Sequence, residues 1–455
     1  MQREKLGSRL GFLLLSAGSA IGIGNVWKFP YMAGSHGGAI FVLIYLFFLV
    51  VMGLPVMTME FSLGRASRKS PAKLYDELAP KGTKWHIHGK AAVIGNYLLM
   101  MFYTTVSGWM LKYFVDMATG KFENLSKNGI DAHYNSMLAN PLSLTIYMGI
   151  VVLIGTIVCS FSLQGGLERI TKYMMIALLA IMVVLAVNSM FMDGGAKGLE
   201  FYLVPDLQKV KEIGIGQVIV GAMNQAFFTL SLGIGAMVVF GSYIGKERAL
   251  LGESMNVALL DTIVAVCSGL IIFPACSAYG VEVDSGPSLI FKTLPNIFNN
   301  IPLGRLWGAL FFVFMSFAAL STIFATFENI MSCTSDIFGW TRKKSAIING
   351  VLLFVLSMPC VLGFNILSGV TPFGKGSNIM DLEDFLVSNI LLPLGSLTFV
   401  LFCTRKKGWR WNNFITEANT GKGLKLRNGM RFYISYILPV IILVLFLFGI
   451  YNFFK

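Results

Sequence analysis

The chain has 455 residues, 55% hydrophobic and 13% charged, with a mean hydropathy of +0.70. That composition excludes a soluble globular domain and describes a polytopic membrane protein. The formal net charge of +13 would suit a nucleic acid only on a soluble face. Here the basic residues collect in alternate loops between apolar runs, so they report topology and no nucleic-acid partner is expected.

In chain order, apolar runs of bilayer length fall at 9–30, 38–63, 90–117, 142–161, 168–191, 215–242, 255–280, 303–336, 346–363, 379–403 and 432–453, which predicts about eleven transmembrane helices. The first run is too long for a signal h-region and lacks a small-residue cleavage site, so it reads as a retained helix. About 25 basic residues fall in one set of loops against about eight in the other, which puts the N-terminus in the cytoplasm. Eleven crossings then leave Lys455 outside. The outer loops span 118–141, 192–214 and 281–302. The last is half apolar and reads as a structured lid. No soluble domain interrupts the chain, and residues 1–455 form one membrane unit, with surrounding lipid as a partner.

Two spans are poor continuous helices. In the first, Ala17 to Pro30 reads A-G-S-A-I-G-I-G-N-V-W-K-F-P, and each glycine costs roughly 1 kcal/mol in a helix relative to alanine. Close helix packing on glycine would explain one such stretch. The sixth span repeats it: Asn224 to Met237 reads N-Q-A-F-F-T-L-S-L-G-I-G-A-M. These spans run in opposite directions, five helices apart. This predicts a five-plus-five inverted repeat, about 9–191 and about 215–403, with an extra span at 432–453 and binding sites near the midplane between the breaks.

Polar groups at that depth need partners or tasks. Asp261 lies in the seventh span, Asn25 follows the first break, and Ser321 and Thr322 lie in the eighth. Their oxygens are hard ligands, suited to an alkali or alkaline-earth cation. The plainer readings are a helix-to-helix hydrogen bond for Asp261 and back-bonding to the preceding turn for the two hydroxyls. Glu60 could cap the broken sixth span, and Glu328 is structural or proton-linked. Lys28 with Asp384 on the outer side, and Arg3 with Asp336 on the inner side, could close a cavity as ion pairs. The six cysteines stand singly, as reduced thiols, and the histidines form no site.

The stretch from Gly18 to Tyr31, followed by Gly37, Gly38 and Ala39, resembles the signature of the neurotransmitter:sodium symporters with the LeuT fold. Further matches begin at Gln225 (Q-A-F-F-T-L-S-L-G-I-G), Val266 (V-C-S-G-L-I-I-F-P), Thr293 (T-L-P-N-I-F) and Phe317 (F-A-A-L-S-T). The resemblance covers nearly the whole chain. It implies an all-α membrane protein with a LeuT-type repeat, broken first and sixth helices, and eleven spans rather than the usual twelve.

Carried over by position, the resemblance implies two sodium sites. The first uses the Ala20 carbonyl, Asn25, Thr229 and Asp261. The second uses the Gly18, Ile21 and Ala318 carbonyls with Ser321 and Thr322. A substrate carboxylate would meet the Ile23 and Gly24 N–H groups and Tyr103. A substrate ammonium would meet the Ala20, Phe228 and Thr229 carbonyls and Ser231. Gly22 stands where amine-transporting relatives carry Asp, which favours amino acids. The side-chain subsite would be lined by Leu99, Tyr103, Val106, Phe228, Ile234, Thr322 and Thr326, uncharged and roomy enough for tyrosine, phenylalanine or tryptophan. Lys28 with Asp384 and Arg3 with Asp336 match the gate pairs, and Tyr243 an inner-gate aromatic. Lys28 replaces the usual Arg, His36 interrupts a run of glycines, and Asp261 replaces the usual Asn. A fixed carboxylate there removes the need for chloride.

The implied function is sodium-coupled, chloride-independent symport of neutral amino acids by alternating access, in a plasma membrane that short termini suggest is prokaryotic. No organic cofactor and no catalytic constellation is expected, so the chain is not an enzyme. A non-transporting amino-acid sensor, and a sodium-independent or proton-coupled exchanger on the same fold, are the alternatives. A channel is disfavoured, because two different broken spans do not make a symmetric ring.

Overall fold

The computed structural model describes residues 4–280 and 287–454. Among these residues every regular element is helical; one isolated backbone bridge joins Arg248 to Lys422. Among the described residues nine helices are long and apolar enough to cross a membrane, ten with the bent pair Arg9–Ala20 and Gly24–Ser35 counted as one. That pair is the first span, bent by 60° at its break. The second to fifth are Ala39–Ser67, His86–Ala118, Pro141–Ser160 and Leu163–Met190. The seventh to eleventh are Leu250–Ala278, Gly304–Phe338, Arg342–Leu362, Ile379–Thr404 and Asn428–Tyr451. The expected sixth span is two pieces, Ile215–Phe228 and Ala236–Tyr243, each too short to cross alone.

The eighth span is the mast of the molecule. It packs along the third span and also touches the first, fourth, fifth, sixth and ninth. Most of its length is buried, and its Ala318, Ser321, Thr322, Thr326, Glu328 and Asn329 all face protein. The second span covers the inner half of the sixth. Gly64 permits that approach, since a Cβ there would collide with the Val238 carbonyl. A similar contact joins the sixth-span break to the tenth span: a Cβ on Gly233 would strike the Leu392 carbonyl, and one on Gly395 would strike the Gly233 carbonyl.

The loops expected outside carry short helices, at Lys127–Leu138, Ala196–Leu203 and Leu207–Ile213. In the expected lid, residues 289–299 are helical and bury Ile290, Phe291, Leu294 and Phe298. Phe291 docks edge-on to Trp109 at 5.7 Å, and its carbonyl accepts from the Tyr113 hydroxyl at 3.0 Å. Apolar side chains in a half-buried segment hold it down without regular pairing.

Candidate functional site

The first span loses its helix at Ile21, whose φ and ψ of −67° and 102° are extended. Breaking a helix orphans N–H groups and carbonyls that need other partners. The Gly22 N–H donates to Asn25 Oδ1 at 3.2 Å, and the Ile23 N–H to the Tyr103 hydroxyl at 2.9 Å. The freed carbonyls turn toward the eighth span. Thr322 Oγ1 donates to Gly18 O at 3.2 Å or Ile21 O at 3.1 Å, and Ser321 Oγ lies 3.3 Å from Ile21 O. Both hydroxyls also reach the Ala318 carbonyl, at 2.9 and 3.5 Å. Back-bonding to their own helix is therefore only part of what they do. The oxygens of Gly18, Ile21, Ala318, Ser321 and Thr322 converge in one buried place, and an all-oxygen set fits a hard cation.

A second cluster sits on the other side of the break. Asn25, Thr229 and Asp261 are all buried. Asn25 Nδ2 donates to Asp261 Oδ1 at 2.8 Å and lies 3.3 Å from Thr229 Oγ1. Thr229 Oγ1 donates to Asp261 Oδ2 at 2.9 Å. Both donors are neutral, so nothing in the cluster compensates a negative charge on the carboxylate, and an ionised carboxylate buried in this way favours a cation beside it. Ala20 is buried and is the last residue of the first half-helix, Arg9–Ala20. Among the described residues no three His, Cys, Asp or Glu side chains form a metal cluster; the side chains gathered here offer an amide, a hydroxyl and a single carboxylate.

The sixth span opens between Thr229 and Gly235. Ser231, Gly233 and Gly235 take positive φ values of 49°, 109° and 80°, conformations that glycine adopts most readily. Glu60 Oε1 accepts the Gly233 N–H at 2.7 Å and so caps the break. Two side chains that sequence reasoning missed complete the support: Asn96 Nδ2 donates to Ile234 O at 2.9 Å, and Asn329 Nδ2 donates to Asn96 Oδ1 at 2.8 Å. An amide inside each of two apolar runs was the available signal.

Between the breaks an outer cavity of about 310 Å³ is lined by Gly24, Lys28, Tyr103, Val106, Phe228 and Asp384, among others. Phe228 leans over Gly24, where a Cβ would come within 2.9 Å of its ring. Leu99, Ser231, Ile234, Thr322 and Thr326 lie outside this lining. Thr322 and Thr326 are buried on the eighth span, Leu99 is half-buried, and Ile234 faces a different cavity. Lys28 and Asp384 share the cavity without an ion pair. Lys28 Nζ lies 3.6 Å from the Phe228 ring centroid, and Asp384 accepts from Ser388 at 2.6 Å. A lysine is a point charge that an aromatic face can hold as well as a carboxylate can.

On the inner side the Tyr243 hydroxyl donates to Glu328 Oε1 at 2.5 Å. Arg342, another residue the sequence did not single out, grips the same carboxylate with both nitrogens, at 3.0 and 2.6 Å. Asp336 accepts the Ser70 N–H at 2.7 Å. Its expected partner, Arg3, lies outside the described residues.

Two interrupted spans crossed by a buried mast, with oxygen clusters at the interruptions and a cavity between them, define a LeuT-fold membrane transporter, not an enzyme. The sodium:neurotransmitter symporter family model matches residues 3–135 and 126–455. The chain is 34% identical over 442 residues to the uncharacterized sodium-dependent transporter YhdH of Bacillus subtilis (strain 168), covering 97% of this chain and 96% of that one. It is 31% identical over 421 residues to a sodium-dependent transporter of Methanocaldococcus jannaschii, covering 88% and 81%. A human sodium- and chloride-dependent taurine transporter is 25% identical, covering 81% and 66%. Among solved structures, MhsT in complex with L-phenylalanine superposes with a TM-score of 0.87 at 35% identity, covering 98% of this chain and 100% of that one. The chain belongs to the sodium:neurotransmitter symporter family.

Proposed function

We propose that this protein is a sodium-coupled symporter of neutral, large hydrophobic or aromatic amino acids that works by alternating access and needs no chloride. The observation that carries the reading is the buried triad of Asn25, Thr229 and Asp261 at the first break, with its carboxylate held by neutral donors alone. Asp261 supplies the fixed negative charge that chloride supplies elsewhere. Asn25 and Thr229 orient it, and the Ala20 carbonyl adds an oxygen. The Gly18, Ile21, Ala318, Ser321 and Thr322 oxygens form a second sodium site that ties the first span to the eighth and holds the inner side shut.

The amino acid lies between the breaks. Its carboxylate meets the Ile23 and Gly24 N–H groups and the Tyr103 hydroxyl, and its ammonium meets the Ala20, Phe228 and Thr229 carbonyls and Ser231. A substrate carboxylate beside the first sodium makes each favour the other, and that coupling is reciprocal. The absence of any side chain at Gly22 supports a carboxylate-bearing substrate, because a Cβ would come 2.5 Å from the Tyr103 oxygen. The aromatic preference is supported by the Tyr103 and Phe228 rings in the cavity lining and by the phenylalanine bound to MhsT. The repeats run over about 9–191 and 215–403 of a single transport domain. The N-terminus is cytoplasmic, the C-terminus is outside, and the membrane is a prokaryotic inner membrane.

Uptake of labelled tyrosine, tryptophan, phenylalanine and leucine into proteoliposomes under an inward sodium gradient tests this reading, with chloride replaced by gluconate. Sodium-dependent accumulation, aromatic side chains preferred and chloride without effect, is the expected result. Uptake indifferent to sodium would overturn the coupling, and sodium-dependent binding without accumulation would identify a sensor.

A further inference from the structure

A second cavity, of about 320 Å³, lies between the third and tenth spans at their basic-loop ends. Its size is within the usual range for ligand pockets, about 300–1,000 Å³. Its back wall is the broken sixth span, at Gly233 and Ile234, and its sides are Ala91 on the third span and Leu391 on the tenth. It therefore abuts the sixth-span break from outside the transport pathway. Its flanks include Ile87 and Leu394, which are 56% and 36% exposed. Exposed apolar side chains within a membrane span face hydrocarbon, so the cavity opens sideways to lipid.

The mouth has the opposite chemistry. Lys84 and Trp85 line it, and the Trp85 indole N–H donates to the Lys407 carbonyl at 2.8 Å, drawing the end of the tenth span onto the start of the third. Lys84, Arg405, Lys406 and Lys407 are all exposed there. No acidic residue occurs from 78 to 115 or from 385 to 416, so both segments that form the mouth carry only positive charge. His88 also lines the cavity; its Nδ1 shares a hydrogen with Tyr75 at 2.5 Å. A basic mouth at headgroup level over an apolar interior is the pattern that holds an anionic lipid, and tryptophan at the mouth suits the interface.

We propose that this cavity binds an acyl chain of one anionic phospholipid, with the phosphate at Lys84 and Lys407, and that the bound chain braces the sixth-span break. Ile234 carries the brace: its side chain meets the lipid chain while its carbonyl is held by Asn96. Lipid occupancy and amino-acid affinity are then coupled with equal strength in both directions. This last step rests on the substrate lying between the breaks; the lipid site itself does not.

Purified protein titrated with phosphatidylglycerol or phosphatidylcholine, read by native mass spectrometry, tests the site directly. The first phosphatidylglycerol should bind on the order of tenfold more tightly than phosphatidylcholine. Ala91→Trp fills the cavity and should abolish that first binding event. The double variant Lys84→Gln with Lys407→Gln changes only exposed side chains and should erase the preference for the anionic lipid while the protein stays folded. In nanodiscs, sodium-dependent phenylalanine binding should differ several-fold between the two lipids for the wild type and not for Ala91→Trp. Equal retention of both lipids by the wild type, or unchanged retention in the variants, overturns the site. Selective retention with no lipid effect on phenylalanine binding overturns the brace. If phenylalanine binds in neither lipid, the substrate reading fails and the mass measurement still decides the lipid site.

Discussion

A methyl group on residue 22 would stand 2.5 Å from the Tyr103 oxygen and 3.0 Å from Thr322 Oγ1. Both atoms belong to the candidate site, so Gly22→Ala must displace one of them. Overpacking of this kind costs about 1–3 kcal/mol, and the expected result is a roughly tenfold loss of sodium-dependent amino-acid affinity, measured by equilibrium binding. Unchanged affinity would show that the substrate lies elsewhere. Asp261 makes a sharper case. Asp261→Asn keeps the shape and removes the charge, so uptake should fall and the residue of it should respond to chloride. Retained uptake with sodium and chloride dependence unchanged would falsify the assigned role. At this scale much of the site was legible, because glycine, amide, hydroxyl and carboxylate stand out against apolar sequence. Which rotamer a side chain takes was not. Lys28 and Asp384 carry opposite charges and face one cavity, yet Lys28 rests on the Phe228 ring.

Each broken helix is held by a side chain borrowed from another span. Glu60 satisfies the Gly233 N–H, and leaving such a buried group unpaired costs about 1–3 kcal/mol. Glu60→Ala should therefore lower the thermal midpoint in detergent, and Glu60→Gln, which keeps an acceptor oxygen, should lower it less. Equal losses would mean that the carboxyl acts by charge rather than as a cap. At the inner side Glu328 joins Tyr243 on the sixth span to Arg342 on the ninth. Glu328→Gln breaks the charge pair, and an inner side that opens more often should make a cysteine at Ser332, which shares a cavity of about 240 Å³ with Tyr243, Glu328 and Arg342, react several-fold faster with an impermeant thiol reagent. An unchanged rate would assign Glu328 a purely static role. The spans themselves follow from apolar length and the breaks from paired glycines. The partners Asn96, Asn329 and Arg342 were not legible, because each meets residues that lie far away in sequence or on another helix face, and no periodicity records that.

For the whole molecule, the proposed eleven crossings would put the two ends on opposite faces. A reporter epitope at the carboxyl end should be reached by antibody on intact spheroplasts, and one at the amino end only after permeabilisation. Both epitopes on one face would mean a miscounted crossing. The sixth span is where such a count is most exposed, since neither of its pieces spans alone; its apolar run at 215–242 placed it in the sequence, and the echo of the first span's motif located its break. Gly233 and Gly395 meet backbone to backbone. Neither position has a side chain left to shorten, so damage at one cannot be repaired by trimming the other. Both positions should stay glycine among descendants of this sequence, and a library selected for second-site rescue of Gly395→Ala should return changes that shift a helix rather than any replacement at 233.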